Sequence, residues 1–475
     1  LTQALANLQA AVLLLQTLQQ QGLRHVVLCP GSRSGPLALA AAGLMRAGLI
    51  TLSTAIDERS AGFHALGRST ASGVATAVIT TSGTAVANLL PAAVEADRSS
   101  QPLLLISADR PLRLKNKGAN QTVNQEAFLT SVCRWCGSGP LDGLATGGDQ
   151  MLRTLAHNAW RHLHQPPGPV HLNCPLEEPL HPDRNQQNEF WRQWNSHDPV
   201  ANNNTELWTP TSTNPAPALD PDQAGVIIAG PWRGLSSRLE AYQTALIAWQ
   251  QRSGWPVLAD PLAAIPSALE GVIRYWDLLL PNGLDPLPAN TQVLRLGSMP
   301  ASRHLEAWIG SQQGPQLLIT EGDPRPLDPL AVAQQWSGGL ARWWQQLKPQ
   351  LKAVPTDQAK TGAGSLLQAW NRADRDAQQQ LSELLPTQGA ASEPALMLSL
   401  AQLLPAQRPV MLAASSPVRD WQAFAASDTG RRRCYSFRGA SGIDGTLSLA
   451  FGLAAELGPT VLMPGDLALL HGSNV

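Results

Sequence analysis

"HVVLCPGSRSGPLALAAAGLM", residues 25–45, runs from an apolar stretch through a turn of small and polar residues into a helical pattern rich in Ala and Leu. "GVATAVITTSGTAVANLLPAAVEA", residues 73–96, repeats that order. "PLLLISADRP" (102–111) and "GPVHLNCPLEEP" (168–179) add two more short apolar runs. None of the runs alternates polar with apolar, and helical patterns separate them. Strands covered on both faces read this way, so the segment predicts a doubly wound parallel sheet of the α/β class. In such sheets ligands gather beyond the carboxyl ends of the strands. The residues that fall there are Ser32, Arg33, Thr81, Ser82, Asp109 and Arg110, all polar or charged.

Ahead of this unit, Leu5, Leu8, Val12 and Leu15 share one face of a helix that should end near Gly22, with no basic segment before it. A chain of 475 residues is too long for one ordinary core, so two or three domains are expected. The formal net charge of -1 offers no field for nucleic acid or an anionic membrane. Arg431, Arg432 and Arg433 are the one compact basic cluster, a weak signal. No run reaches the 18 or so apolar residues of a membrane span. Five cysteines, an odd number, argue against a disulfide scaffold and for a reducing, cytoplasmic setting. Cys133 and Cys136 form a CxxC without the second pair a zinc site needs, and read as packed thiols with incidental spacing. His162 and His164 lie in a helical pattern, where a spacing of two separates them.

Composition divides the chain further. Residues 183–220 are rich in Asn, Gln, Pro and Thr and read as a linker pinned by its Trp residues. A second α/β block follows, with strands expected at "AGVIIAG" (224–230), "WPVLAD" (255–260), "TQVLRLGS" (291–298) and "PQLLITEGD" (315–323). After a polar link, "TDQAKTGAGS" (356–365), and a helical stretch, a third block begins with "PVMLAASSPVRD" (409–420).

Three segments carry possible chemistry. "STAIDERSAGFHALG" (53–67) sets Asp57 and Glu58 among small and apolar residues, as a helix start or as a buried acid/base. "GASGIDGTLS" (439–448) is a glycine-rich turn whose amides can cradle an anion. "PGD" (464–466) places Asp466 at a strand end, where a carboxylate suits a divalent cation on phosphates. No GxxxxGK[ST] occurs, and no GxGxxG follows the first strand, which removes the P-loop and dinucleotide readings.

Together "CPGSRSGPLALAA", "DERSAGFHALG", residues 80–96, "SADRP", "GANQT", "SSPVRD", "RGASGIDG" and "GDLALLH" resemble the thiamine diphosphate-dependent 2-succinyl-5-enolpyruvyl-6-hydroxy-3-cyclohexene-1-carboxylate synthases of menaquinone and phylloquinone biosynthesis. The resemblance covers nearly the whole chain. It implies a three-domain thiamine diphosphate-binding fold: a pyrimidine-binding domain at 1–182, the linker at 183–220, a central domain at 221–352 and a diphosphate-binding domain at 353–475. It implies a transferase that decarboxylates 2-oxoglutarate and joins the resulting unit to isochorismate. Thiamine diphosphate and Mg2+ (or Mn2+) are the implied cofactors, in a homodimer or homotetramer. Glu58 would be the catalytic carboxylate at the aminopyrimidine, a group that drives proton removal from the cofactor. Asp57 stays a cap or surface partner. Thr81, Gly83, Gln121, Ser415, Gly439, Ser441 and Ile443 would complete the cofactor site, with Asp466 as a metal ligand. Both substrates are dicarboxylates, and Arg is the best bidentate partner for a carboxylate. Ser32, Arg33, Arg110, Asn120, Gln121, Ser415, Arg419 and Arg438 would bind them. Arg303 stands where relatives often have Lys.

The resemblance breaks near the end. After His471 the family usually has Asp, whereas Gly472 stands here, and the Asn-Asn-Gly segment that completes the metal site is not seen. Asn474 lies eight residues after Asp466, short of the dozen or so that a parallel crossover needs. The third domain is therefore expected to be incomplete, and the chain alone is expected to hold magnesium and cofactor weakly. Two alternatives stay open: another thiamine-dependent 2-oxoacid decarboxylase or carboligase, which would not need the arginine set, and a non-catalytic module of the same fold.

Overall fold

The computed structural model describes residues 2–194, 214–282, 287–288, 290–351, 363–385 and 392–473. Residues 195–213 of the expected linker, most of the 356–365 link and Asn474 lie outside the described residues. The chain forms two compact units. One takes in the described residues up to 208 together with 438–458 and those from 466 on; the other takes in 209–437 and 459–465.

The first unit holds six parallel strands, β1 (His25–Leu28), β2 (Thr51–Thr54), β3 (Thr76–Thr80), β4 (Leu103–Asp109), β5 (Trp135–Ser138) and β6 (Pro169–Pro175), in the order β2-β1-β3-β4-β6-β5. β4 and β6 are buried at every residue, as expected of runs without alternation. Helices cover the sheet: α1 (Gln3–Gln21), α2 (Gly35–Arg46), α3 (Glu58–Ser72), α4 (Thr84–Ala87), α5 (Leu90–Ser99) and α6 (Asp149–His164). Leu8, Val12 and Leu15 of α1 pack into a core with Leu104, Ile106, Val170 and Leu172 of the sheet. Thr2 caps α1 and Gly22, at φ 130°, ends it where the periodicity stops.

Part of the expected linker is a helix. Asp183 accepts from the Gln186 N–H and the Gln186 side chain accepts from the Asp183 N–H, so a capping box starts α7 (Arg184–Gln193). Trp191 and Trp194 pack against the first unit's core and pin the segment.

In the second unit β7 (Gly225–Ala229), β8 (Val257–Ala259), β9 (Val272–Ile273), β10 (Gln292–Leu296), β11 (Gln316–Ile319) and β12 (Gln334–Trp336) form a parallel sheet in the order β12-β11-β10-β7-β8-β9. A smaller sheet, β14-β13-β15, joins β13 (Val410–Leu412), β14 (Cys434–Ser436) and β15 (Val461–Met463). The helix Ala363–Leu384, expected to lead the third block, packs instead on the middle sheet. Leu366 and Trp370 enter the core of Val226, Ile228 and Ile273, and the Asp374 carboxylate accepts the N–H groups of Arg274 and Tyr275 at 2.9 and 2.7 Å. Two of the basic triplet are structural: Arg432 is buried in an ion pair with Asp428, and Arg433 lies over the Trp232 and Tyr435 rings, while Arg431 is exposed. No helix among the described residues is long and apolar enough to cross a membrane.

Back in the first unit, α3 lies against the helix Thr446–Leu457 through glycines on both sides. A Cβ at Gly67 would come 2.2 Å from the Leu449 carbonyl oxygen, and one at Gly452 would come 2.1 Å from that of His64. We expect Gly452→Ala to destabilise this unit by about 1–3 kcal/mol, the usual cost of overpacking. An unshifted urea midpoint would show that the two helices do not meet this closely.

Candidate active site

The carboxyl ends of β1, β3 and β4 bring most of the expected first-unit residues together. After β1 the chain turns at Gly31, where a Cβ would lie 2.3 Å from that of Thr81, so the two strand-end loops meet only because this residue lacks one. The turn buries Arg33, whose Nη1 donates to the Leu176 carbonyl at 2.9 Å and whose Nη2 pairs with Glu178 at 2.6 Å. Its Nε is buried with no hydrogen-bond partner among the described residues. Arg110, after β4, donates through Nη1 to the Ser82 hydroxyl and, at 3.0 Å, to the Gln121 carbonyl. Burial and the neighbouring Arg33 guanidinium lower the Arg110 pKa, while Asp109 and Glu178 oppose the shift. Two guanidiniums converging at a strand edge attract an anion. Ser32 and Asn120 are exposed beside this edge in sequence.

Thr81 and Ser82 are buried, and Gly83, at φ 89°, begins α4. The Gly83 N–H donates to Gln125 Oε1 at 3.0 Å, and Gln121 Nε2 donates to the Ser82 carbonyl at 3.1 Å. Glu58 opens α3 and is half-buried, with Asn88 Nδ2 3.4 Å from its Oε2. Asp57 is the cap: its carboxylate accepts the Ser60 N–H at 3.0 Å. The buried Cys29 thiol is pushed up to about 12 by burial and by the carboxylates of Glu58 and Asp57, which places it beside them.

The glycine-rich turn holds an anion of the protein's own. Glu95 of α5, 4% exposed, accepts the N–H groups of Gly439, Ala440 and Ser441 at 2.8, 2.6 and 3.3 Å. Ser441 sits at φ 60°. Three successive amides aimed at one carboxylate form the anion cradle expected of the motif, filled by a side chain the sequence reading passed over. Ile443 is exposed and Arg438 half-buried in the same segment. Asp466 is exposed and accepts the Leu467 N–H at 2.8 Å. Ser415, at φ 78°, Arg419 and Arg303 belong to the second unit, where both arginines are exposed.

The first-unit residues fit the aminopyrimidine half of a thiamine cofactor: a half-buried carboxylate at a helix start, an amide beside it, and an adjacent buried guanidinium with a spare donor. A diphosphate at the Gly439–Ser441 amides would have to displace Glu95. A divalent cation carried by that diphosphate would find the exposed Asp466 carboxylate; among the described residues no group of three His, Cys, Asp or Glu side chains is disposed to hold one.

Comparison with known proteins agrees with the α/β layout. Residues 8–128 match the thiamine pyrophosphate enzyme N-terminal TPP binding domain, and residues 186–412 match the middle domain of thiamine pyrophosphate enzymes. The molecule is thus of the thiamine diphosphate-dependent enzyme class. The 2-succinyl-5-enolpyruvyl-6-hydroxy-3-cyclohexene-1-carboxylate synthase of Synechococcus sp. (strain CC9311) is 81% identical over 97% of this chain and 80% of its own length. Those of Prochlorococcus marinus (strain MIT 9313) and Synechococcus sp. (strain RCC307) are 58% and 51% identical, over 95% and 99% of this chain and 79% and 80% of theirs. The chain belongs to the 2-succinyl-5-enolpyruvyl-6-hydroxy-3-cyclohexene-1-carboxylate synthase family.

Replacing Glu95 by Ala leaves three amides to water, and we expect a loss of about 1–3 kcal/mol with faster hydrogen exchange at residues 439–441. Unaltered exchange there would show that the carboxylate does not hold the turn.

Proposed function

We propose that the chain carries out the family reaction, joining the unit left by decarboxylation of 2-oxoglutarate to isochorismate. The observation that carries this reading is the convergence of Arg33 and Arg110 at the strand edge that also holds Thr81, Ser82 and Gly83. Thiamine diphosphate, when bound, supplies the carbanion chemistry that decarboxylation and carbon–carbon bond formation require. The protein's part is binding, orientation and proton handling. Glu58 holds and returns a proton at the aminopyrimidine ring, and Thr81, Gly83 and Gln121 shape the same edge. Arg33 and Arg110, with Ser32 and Asn120, take substrate carboxylates; Arg303, Ser415, Arg419 and Arg438 serve the remaining ones. Gly439, Ser441 and Ile443 form the diphosphate turn, and Asp466 contributes one ligand to magnesium or manganese. We also propose the division at 1–182, 221–352 and 353–475 as functional domains, a homodimer or homotetramer, and a cytoplasmic setting, which suits free cysteines and soluble substrates.

Glu58→Gln should lower turnover of 2-oxoglutarate with isochorismate by about 10²–10⁴-fold, the range for a lost acid/base group, with an unchanged circular dichroism spectrum. Near-normal turnover would remove Glu58 from the reaction. Arg110→Ala should lower kcat/KM by about 10- to 100-fold, as for losing a hydrogen bond to a charged group. Equal kinetics with both dicarboxylates would rule out a substrate role for this arginine.

A further inference from the structure

Among the apolar residues of β6 stands Asn173, 1% exposed and in register with Ser107 of β4. Its amide is used from both ends. Oδ1 accepts from the Ser107 hydroxyl at 3.0 Å and from Gln125 Nε2 at 2.8 Å, and Nδ2 donates to Asp109 Oδ2 at 2.8 Å. Behind it, His171 Nε2 lies 2.8 Å from the same Ser107 hydroxyl. With donors on one side and a carboxylate on the other, a single orientation of the amide satisfies every partner. A side chain in this place must accept on one side and donate on the other. Asn does both, an ionised Asp only accepts, and Leu does neither.

Each end leads to the candidate site. Gln125, fully buried in the short helical turn Gln125–Ala127, passes one contact on: its Nε2 also donates to the Ala108 carbonyl at 3.0 Å, and its Oε1 accepts the Gly83 N–H at 3.0 Å. Asp109, also fully buried, passes on the other. Its Oδ1 accepts the Arg110 N–H at 2.7 Å, and its Oδ2 pairs with Lys115 at 2.6 Å besides Asn173. Asp109 thereby fixes the backbone from which the Arg110 side chain departs. That side chain then bonds the Ser82 hydroxyl, next to Gly83. The chain of contacts closes on itself. One arm runs from Asn173 through Gln125 to the turn at 81–83, the other through Asp109 to Arg110, and Arg110 returns to the same turn.

We propose that Asn173 is a positioning residue for the reaction, setting the Arg110 guanidinium against the turn at 81–83. Being buried, it acts through Gln125 and Asp109 and not by contact with a ligand. The proposal rests on the functional reading of Arg110 and Gly83 given above. If Arg110 takes a substrate carboxylate and the turn shapes the cofactor edge, Asn173 decides how the two are placed relative to each other. Small errors in such placement are expensive, since a misplacement of about 1 Å can cost about 10²-fold in rate. The two arms also separate in their effects: the Asp109 arm governs the hold on substrate, the Gln125 arm the hold on cofactor.

Asn173→Asp keeps the size and the acceptors that serve Ser107 and Gln125, but sets a second carboxylate against Asp109. The expected result is a rise of about 10-fold or more in KM for a dicarboxylate substrate, as for a lost hydrogen bond to a charged group, with kcat and the half-saturating concentration of thiamine diphosphate near their native values. Gln125→Met removes the acceptor of the Gly83 N–H and should instead raise the half-saturating concentration of thiamine diphosphate. A purely structural role would lower the melting temperature and the active fraction of both variants and leave both constants unmoved, and that result overturns the proposal. Because a second buried carboxylate can stop a variant from folding, hydrogen exchange is also measured on the unmodified chain. The Gly83 and Arg110 amides should exchange slowly and with one common protection factor, since neither opens without the network. Fast exchange at either amide, or clearly unequal protection, overturns the proposal without reference to activity. Native constants in Asn173→Asp beside an impaired Arg110→Ala remove the positioning role and leave the functional reading standing; native constants in both remove the two together.

Discussion

Backbone meets backbone where α3 crosses the helix Thr446–Leu457, and both the helix that Glu58 opens and the glycine-rich turn at 439–445 hang on that contact. Gly67 and Gly452 face each other with no room for a Cβ on either side, and Gly445, at φ 71°, lets the chain enter the helix beneath Phe63, where a Cβ would fall 2.0 Å from the ring. At the far end Glu456 pairs with Arg68 at 2.5 Å and with His25 at 3.2 Å. The helix is thus fixed at both ends, and the turn before it is brought to Glu95. An anion cradle normally waits for a ligand; here its amides are satisfied in advance by a buried carboxylate. A buried Glu with three N–H donors is well stabilised as an anion. Any phosphate arriving at those amides competes with it, so the carboxylate sets a threshold on binding at the turn.

The arginines obey a related rule. Arg33 is buried with only part of its fork used, since Leu176 and Glu178 take Nη1 and Nη2 and, among the described residues, nothing takes Nε. Arg110 leans on Ser82 and on the Gln121 carbonyl, both neutral. Asp109, the nearest carboxylate to Arg110 in sequence, is drawn away: Lys115 pairs with it at 2.6 Å and Asn173 donates to it. Arg110 thus keeps its donors on neutral oxygens, while Arg33 gives one of its own to the Glu178 carboxylate.

The parallel sheets could be read from the sequence because buried strands need unbroken apolar runs, and β4 and β6 have them. A helix start at Asp57 and Glu58 could be read too, since the cap position and first turn have strong residue preferences. Glu95 could not, because its partners are backbone amides 344 to 346 residues away and amides leave no mark in the sequence. The packing of the Ala363–Leu384 helix on the middle sheet was hidden for the same reason: Leu366 and Trp370 declare an apolar stripe but not its destination. Two signals were there to be used. Asp183 and Gln186 spell a capping box inside the expected linker. His171 and Asn173, two apart in a buried strand, must share a face, so "HLN" announced a polar network within the core.

That network is the costliest feature of the first unit to maintain. Ser107, Gln125, His171, Asn173 and Asp109 are each at most 1% exposed, and polar groups so deeply buried destabilise a fold unless every one is paired. The observed bonds link them without a break from β6 to Gly83. Apolar residues of similar size would stabilise the core more simply, so the polar set makes sense as a device that orients its ends. One end is the turn that begins α4; another is Asp109, whose Oδ1 accepts the Arg110 N–H at 2.7 Å. Side chains with satisfied partners have few alternative rotamers, so the network fixes Gly83 and the Arg110 backbone as a single rigid edge. On the proposed reading, a substrate reaching that edge meets donors already in place, and the ordering entropy is spent in folding rather than in binding.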